Sequence, residues 1–197
     1  MPDFCSTVKL QDGWDRSTDY GRQRSVFFRG LPQRCQKQGR QHVKVRIKPV
    51  VTYRLGGTAE SHSLTLLKTR DLIDISDEPV ERGGTNEGFA PTEFVLGGLA
   101  ACTNVISNKI AKANGFPIEA MEIEIEARFN QLGVTLQKEV DLVFPEITLR
   151  IAVTTSATEE QQQILKSDLP KYCAVSKIIR QSGTNIIDEW QFTKPAA

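Results

Sequence analysis

Apolar and polar residues alternate in Val43-Lys44-Val45-Arg46-Ile47-Lys48, the pattern of a half-buried strand. Val50-Val51-Thr52-Tyr53 continues it after Pro49, where a proline marks an edge or a bulge. Leu55-Gly56-Gly57-Thr58 reads as a turn, and Ser63 to Lys68 and Leu72 to Ile75 as further short strands. The set predicts an antiparallel meander feeding a loop that carries Gly83, Gly84 and Gly88. A helix follows. Pro91 suits its first turn, and Asn114-Gly115 before Phe116-Pro117 reads as a glycine cap with a proline stop. Its apolar run is too wide for one stripe and predicts burial on most sides. Gly97, Gly98, Ala100 and Ala101 lie in its middle. Each interior glycine costs ~1 kcal/mol against alanine, and close approach by another helix or chain would offset that.

Met121-Glu122-Ile123-Glu124-Ile125-Glu126-Ala127 alternates strictly, with all three glutamates on one face. That is a solvated sheet face; a metal site would want a histidine, and none accompanies them. Ile147 to Val153 is a matching strand. Thr158-Glu159-Glu160-Gln161 opens a short helix as a capping box. Pro170 starts another that ends near Ser182-Gly183, and Asn185 to Phe192 makes a last strand. Strands grouped around helices with short links indicate an α+β fold.

Residues 1–42 lack either periodicity and are rich in Arg, Gln, Gly and Ser. They are expected to form a mostly disordered tail, with the folded domain spanning 43–197. The formal net charge of +1 conceals an asymmetry: residues 20–59 hold seven Arg and three Lys and no acid. A basic tail can touch nucleic acid or anionic lipid, but no aromatic-basic motif supports specific recognition. No apolar run reaches the ~18 residues that span a membrane. Cysteines 5, 35, 102 and 173 and histidines 42 and 62 complete no zinc-type spacing. Four cysteines are too few for a disulfide-stapled secreted domain of this size. A reducing compartment is therefore expected, the cytoplasm, or the mitochondrial matrix if the Arg-rich segment is a targeting peptide. Four aspartates among the first nineteen residues are unlike the usual form of such a peptide.

Cys102 shares a helix face with Val95, Gly98, Leu99, Val105 and Ile106, and most such cysteines are small buried hydrophobes. Cys173, with Pro170 opening its helix, falls in the first turn. There the dipole favours a thiolate, and Lys171 and Lys177 add positive charge. Local electrostatics thus make Cys173 the more acidic thiol.

Pro91-Thr92-Glu93-Phe94-Val95-Leu96 followed by Leu99-Ala100-Ala101-Cys102-Thr103 resembles the signature of the OsmC/Ohr family. Lys171-Tyr172-Cys173-Ala174-Val175-Ser176 is similar to that family's second cysteine segment, with Ala174 where proline is common. The resemblance covers about residues 43–193. It implies antiparallel sheets packed around a long buried helix, an intertwined homodimer with sites near its interface, and no cofactor. It further implies thiol-dependent reduction of organic hydroperoxides, with Cys102 peroxidatic, Cys173 resolving and an unidentified thiol reductant recycling the disulfide. Family members use an arginine held by a glutamate to sustain the thiolate. Arg82 is the candidate, with Arg54 as runner-up, and Glu93 is the candidate acid. In the hydroperoxide-reductase branch the acid directly follows the proline, where this chain has Thr92. Glu93 is nine residues from Cys102 and half a turn out of phase, so it acts only through Arg82 or across a subunit boundary. The alternative is a non-catalytic member holding a small hydrophobic ligand in a dimer-interface pocket lined by the cysteines.

Overall fold

The computed structural model describes residues 48–196, and the fold below is that of the compact unit from Val51 onward. The expected tail and the strand expected at Val43 to Ile47 lie outside the described residues. Three strands, β1 (Gly56–Ala59), β2 (Thr65–Thr69) and β3 (Leu72–Ser76), pair antiparallel in the order β1-β2-β3. This is the expected meander with one correction. Val51 to Tyr53 forms no strand and its side chains are exposed, and the pair Gly56-Gly57 expected to turn lies inside β1.

A second sheet holds β4 (Ala120–Arg128), β5 (Glu146–Thr154) and β6 (Asn185–Thr193) in that order. β4 and β5 are antiparallel, but β5 and β6 run parallel, against the expectation of antiparallel sheets throughout. Parallel neighbours need a crossover of a dozen or more residues. Helices α2 (Glu159–Tyr172) and α3 (Ala174–Gln181) supply it. Central β5 buries Ile147, Leu149, Ile151 and Val153 on its inner face, each contributing about 1.5–3 kcal/mol by leaving water. The glutamates of β4 share the outer face as expected. There Arg150 meets Glu126 at 2.9 Å and Glu189 at 3.1 Å, with Glu124 at 3.8 Å.

The long helix, α1 (Pro91–Ala113), begins and ends where the sequence placed it: Pro91 is its first residue, Asn114 its C-cap, and Gly115 has a left-handed φ of +73°. Its burial is narrower than expected. Only Leu99, Thr103, Ser107, Ile110 and Ala111 are buried, a single stripe toward β4, α2 and α3. Val95 and Val105 are 43% and 48% exposed, and a Cβ on Gly97 or Gly98 would meet nothing within 4 Å. The small residues are thus not explained by packing among the described residues. By length and apolar composition α1 also reaches the level of a membrane-crossing helix, although no purely apolar stretch of that length occurs. In the fold it packs on the second sheet and turns two hydroxyls, those of Thr103 and Ser107, into the core.

Thr158 caps α2 as expected, accepting from Gln161 N–H at 3.3 Å while Gln161 Oε1 accepts from Thr158 N–H at 2.9 Å. Pro170 does not start a helix. It sits inside α2, and the break comes three residues later at Cys173, at once the C-cap of α2 and the N-cap of α3. Proline removes one donor and strains the turn before it. The bend at Cys173, where ψ is 105°, comes after the proline and beyond the turn it strains. Arg180 then ties α3 to β6, donating to Ile186 O at 2.8 Å and Asp188 Oδ2 at 2.6 Å.

The meander joins the second sheet's unit through the loop before α1. Ser76 bridges Phe89, and Ser76 Oγ donates to Phe89 O at 3.0 Å. Gly84 and Gly88 are needed for this closure, because a Cβ on either would strike the carbonyl of Glu78 or of Ile75. Gly84→Ala is expected to lower the midpoint of chemical unfolding clearly, since backbone must move to accept it. Gly97→Ala should raise it in a monomeric form, adding up to ~1 kcal/mol of stability. Equal midpoints for the two variants would contradict the loop packing described.

Candidate functional site: two facing thiols

Helix packing alone brings the two cysteines together. Cys102 projects from the middle of α1, half-buried, and Cys173 sits fully buried at the α2–α3 break in the core that Cys102 also packs against. Both are free thiols. Burial pushes the Cys173 thiol up to about 11, and the adjoining Cys102 thiol pushes the same way. The N–H groups of Ser176 and Val175 at the start of α3 favour the thiolate and oppose this. Desolvation of the charged form wins. The expectation of an acidified Cys173 is therefore corrected: its helix end is real, but the site is dry. The expected lysines also lie elsewhere. Lys171 pairs with Asp168 at 2.8 Å, and Lys177 is exposed.

Arg82 lies in a short 3-10 turn, Val80–Arg82, and its Nε pairs with Glu78 Oε2 at 2.7 Å. It borders a cavity of about 380 Å³ with Glu78, Glu81, Thr92, Phe129 and Val134. Thr92 precedes Cys102 by ten residues, about 15 Å along a helix axis, and Cys102 does not line that cavity. Glu93 caps α1: its Oε2 accepts from Ala90 N–H at 2.8 Å. It holds the helix start rather than Arg82. Arg54 is exposed, and its carbonyl accepts from Thr69 Oγ1 at 3.0 Å. Of the four residues expected to act together, the single chain joins Cys102 with Cys173 and leaves Arg82 and Glu93 in separate pairings.

Sequence reasoning missed Asp77. It is fully buried and accepts from Glu78 N–H at 2.8 Å, Thr85 N–H at 2.8 Å and Thr85 Oγ1 at 2.7 Å. The Thr85 hydroxyl above all holds its carboxyl far below the usual carboxylate range. Asp77 thereby folds the glycine loop that carries Arg82. Its partners lie up to ten residues away in an irregular loop, where no periodicity signals them. Thr103 and Ser107 were missed too. Their buried hydroxyls find no partner among the described residues, and their i, i+4 spacing after Leu99 was the available signal.

The fold has two sheets with the long helix α1 packed on the second and on α2 and α3, and the sequence places it within a family. The profile of the OsmC-like protein family matches residues 84–187, more than half of the chain. The chain belongs to that family. No curated protein matches the sequence significantly. Among solved structures, an OsmC-like protein from Mycoplasma pneumoniae superposes with a TM-score of 0.59 at 17% identity, over 74% of this chain and 99% of that one. A protein from Legionella pneumophila described as an organic hydroperoxide resistance protein OsmC gives 0.54 at 16% identity, over 74% and 99%. An organic hydroperoxide resistance protein from Elizabethkingia anophelis gives 0.53 at 18%, over 76% and 100%. At these identities the likeness is one of fold.

Two measurements check the site. Alkylation of Cys173 by iodoacetamide in the native reduced protein should lag a cysteine peptide and rise only as pH approaches about 11. Unfolding should abolish the lag, and equal native rates at neutral pH would contradict the burial. Asp77 gives the second. A folded-state pKa below the unfolded value stabilises the fold above the ordinary range near 3.8, and that stability is lost as pH falls below it. Asp77→Asn should therefore be less stable than wild type at neutral pH, with the gap narrowing in acid. A gap that does not change with pH would remove the charge from the explanation.

Proposed function

We propose that the protein is a thiol-dependent reductase of organic hydroperoxides, with Cys102 the atom-accepting thiol and Cys173 the resolving one. The observation that carries this reading is the unequal exposure of two adjoining thiols. Cys102 is half-buried and reachable, whereas Cys173 is dry, protonated and waiting behind it. The hydroperoxide O–O bond breaks as oxygen passes to the Cys102 sulfur, leaving a sulfenic acid and an alcohol. Cys173 then displaces water from that sulfenic acid, and an external thiol reductant restores both groups. Family membership and the hydroperoxide-resistance descriptions of two structural relatives support the reaction class.

A thiolate at Cys102 needs a cation, and among the described residues neither Arg82 nor Arg54 is brought to it. The proposed source is a second copy. The exposed side of α1, with Val95, Gly97, Ala101 and Val105, is broad and apolar, and burying it would offset the glycines. Sedimentation at micromolar concentration should show a dimer, and Gly97→Leu should weaken it. A stable wild-type monomer would remove the second copy from the account.

Binding of a small hydrophobic ligand without catalysis is the competing reading, favoured by the engagement of Arg82 with Glu78. Titration of Cys102 separates the two: a thiol pKa near neutrality supports chemistry, and one above ~9 supports binding. Under cumene hydroperoxide, wild type should form a Cys102–Cys173 disulfide. Cys102→Ser should abolish turnover, and Cys173→Ser should stop after one oxidation with a trappable sulfenic acid. Wild-type protein with both thiols intact, while a control thiol is consumed, would sink the enzymatic reading.

A further inference from the structure

The cavity of about 380 Å³ beside Arg82 has three walls, and each is fastened independently. One is the turn that carries Glu78, Glu81 and Arg82. There Arg82 N–H and Gly84 N–H donate to Pro79 O at 2.9 and 3.1 Å, and Asp77 Oδ1 accepts from Glu78 N–H. The first turn of α1, held by the Glu93 cap, supplies Thr92. The connection between β4 and β5 supplies Phe129, Val134 and Thr135. In it Asn130 N–H donates to Val143 O at 2.9 Å and Thr135 N–H to Gln131 O at 3.1 Å. The Phe129 ring lies 5.4 Å from that of Phe144. The cavity is thus preformed, and its volume falls in the ~300–1,000 Å³ range of small-molecule sites.

Its lining carries three kinds of chemistry. Glu78 engages Arg82 at Nε, at 2.7 Å, and the two terminal nitrogens of the guanidinium have no acidic partner among the described residues. An arginine held from the side in this way presents its flat end to a carboxylate. Glu81 precedes it in the same turn and pairs with no cation among the described residues. Thr135 Oγ1 donates its hydrogen to Gln131 O at 2.9 Å, so the oxygen is left to accept. Phe129 and Val134 are apolar. An apolar ligand would desolvate Arg82 and Glu81 without replacing their hydrogen bonds. A simple anion meets Glu81, and a simple cation meets Arg82; a molecule bearing both charges answers both. We propose that this cavity binds a small zwitterion with an apolar body, such as free leucine or phenylalanine. The carboxylate lies on the terminal nitrogens of Arg82, the ammonium on Glu81 and the Thr135 oxygen, and the hydrocarbon on Phe129 and Val134. Glu78 is a positioning residue for Arg82. The site stands apart from the two-cysteine reading, because Cys102 does not line the cavity and binding makes or breaks no covalent bond.

Amide NMR titration of the full chain separates the two charges. L-Leucine should shift, saturably, the signals of residues 78–92 and 129–135 and leave those of β6 in place. 4-Methylpentanoate lacks the ammonium and 3-methylbutylamine lacks the carboxylate. Each should bind about tenfold more weakly or worse, the scale of one lost charge-assisted contact. Serine keeps both charges without the hydrocarbon and should also bind more weakly. Arg82→Gln and Glu81→Gln should each weaken leucine binding about tenfold. Glu81 makes no ion pair among the described residues, so its variant keeps the test decisive if Arg82→Gln fails to fold. Either single-charge analogue bound as tightly as leucine would overturn the proposal, since one charge would then suffice. So would leucine that shifts no signal of the cavity, or that binds both variants as it binds wild type. Turnover of cumene hydroperoxide by a chain that ignores leucine would sink this site alone. Leucine bound by a chain inert to peroxide would sink only the peroxide reading.

Discussion

Exclusion of water from the Cys173 sulfur is the constraint on which the rest depends. It requires α1 to cover the α2–α3 break, and α1 can do so only because Leu99, Thr103, Ser107 and Ile110 form one inward stripe on β4, α2 and α3. It requires the break itself, at Cys173 between α2 and α3. It also sets the reactivity of that thiol, because a thiol held near 11 is protonated at neutral pH and a poor nucleophile. A dry thiol behind a reachable one is an ordered pair: the geometry decides which sulfur meets solvent-borne reagent first.

Features written in neighbouring residues were legible without coordinates. The alternation of β4, the Thr158–Gln161 box and both ends of α1 follow from local spacing and cap chemistry, and they stand in the structure with nearly the expected bounds. The thiol pairing was legible only through resemblance, since 71 residues separate the two positions. Three readings failed for one reason, which is that tertiary packing overrode a local cue. The helix dipole at Cys173 was outweighed by desolvation. The apolar breadth of α1 was taken for burial, although the described residues supply partners for a single stripe. The Pro170 ring was read as a helix start, although the preceding turns of α2 had packing enough to carry the helix through it.

Arg82 and Glu93 show how a family motif and its geometry can part. Glu93 is used locally, as the acceptor for Ala90 N–H at the start of α1. Arg82 is used locally by Glu78, inside a loop that Asp77 fastens. Each has an adequate structural occupation, so neither requires a catalytic one.

The outer face of β4, β5 and β6 has a bearing on how the chain behaves in a crowded solution. Sheets with bare edges and flat faces are templates for stacking and edge-to-edge growth. Here Arg150 is encircled by Glu124, Glu126 and Glu189, with Glu122 alongside. A single cation thus knits three strands together, while the surplus of carboxylates leaves the surface negative. Two copies meeting face to face through this surface repel before their strands can register. The same charges that hold the sheet's strands in register therefore keep newly made chains from aggregating through it.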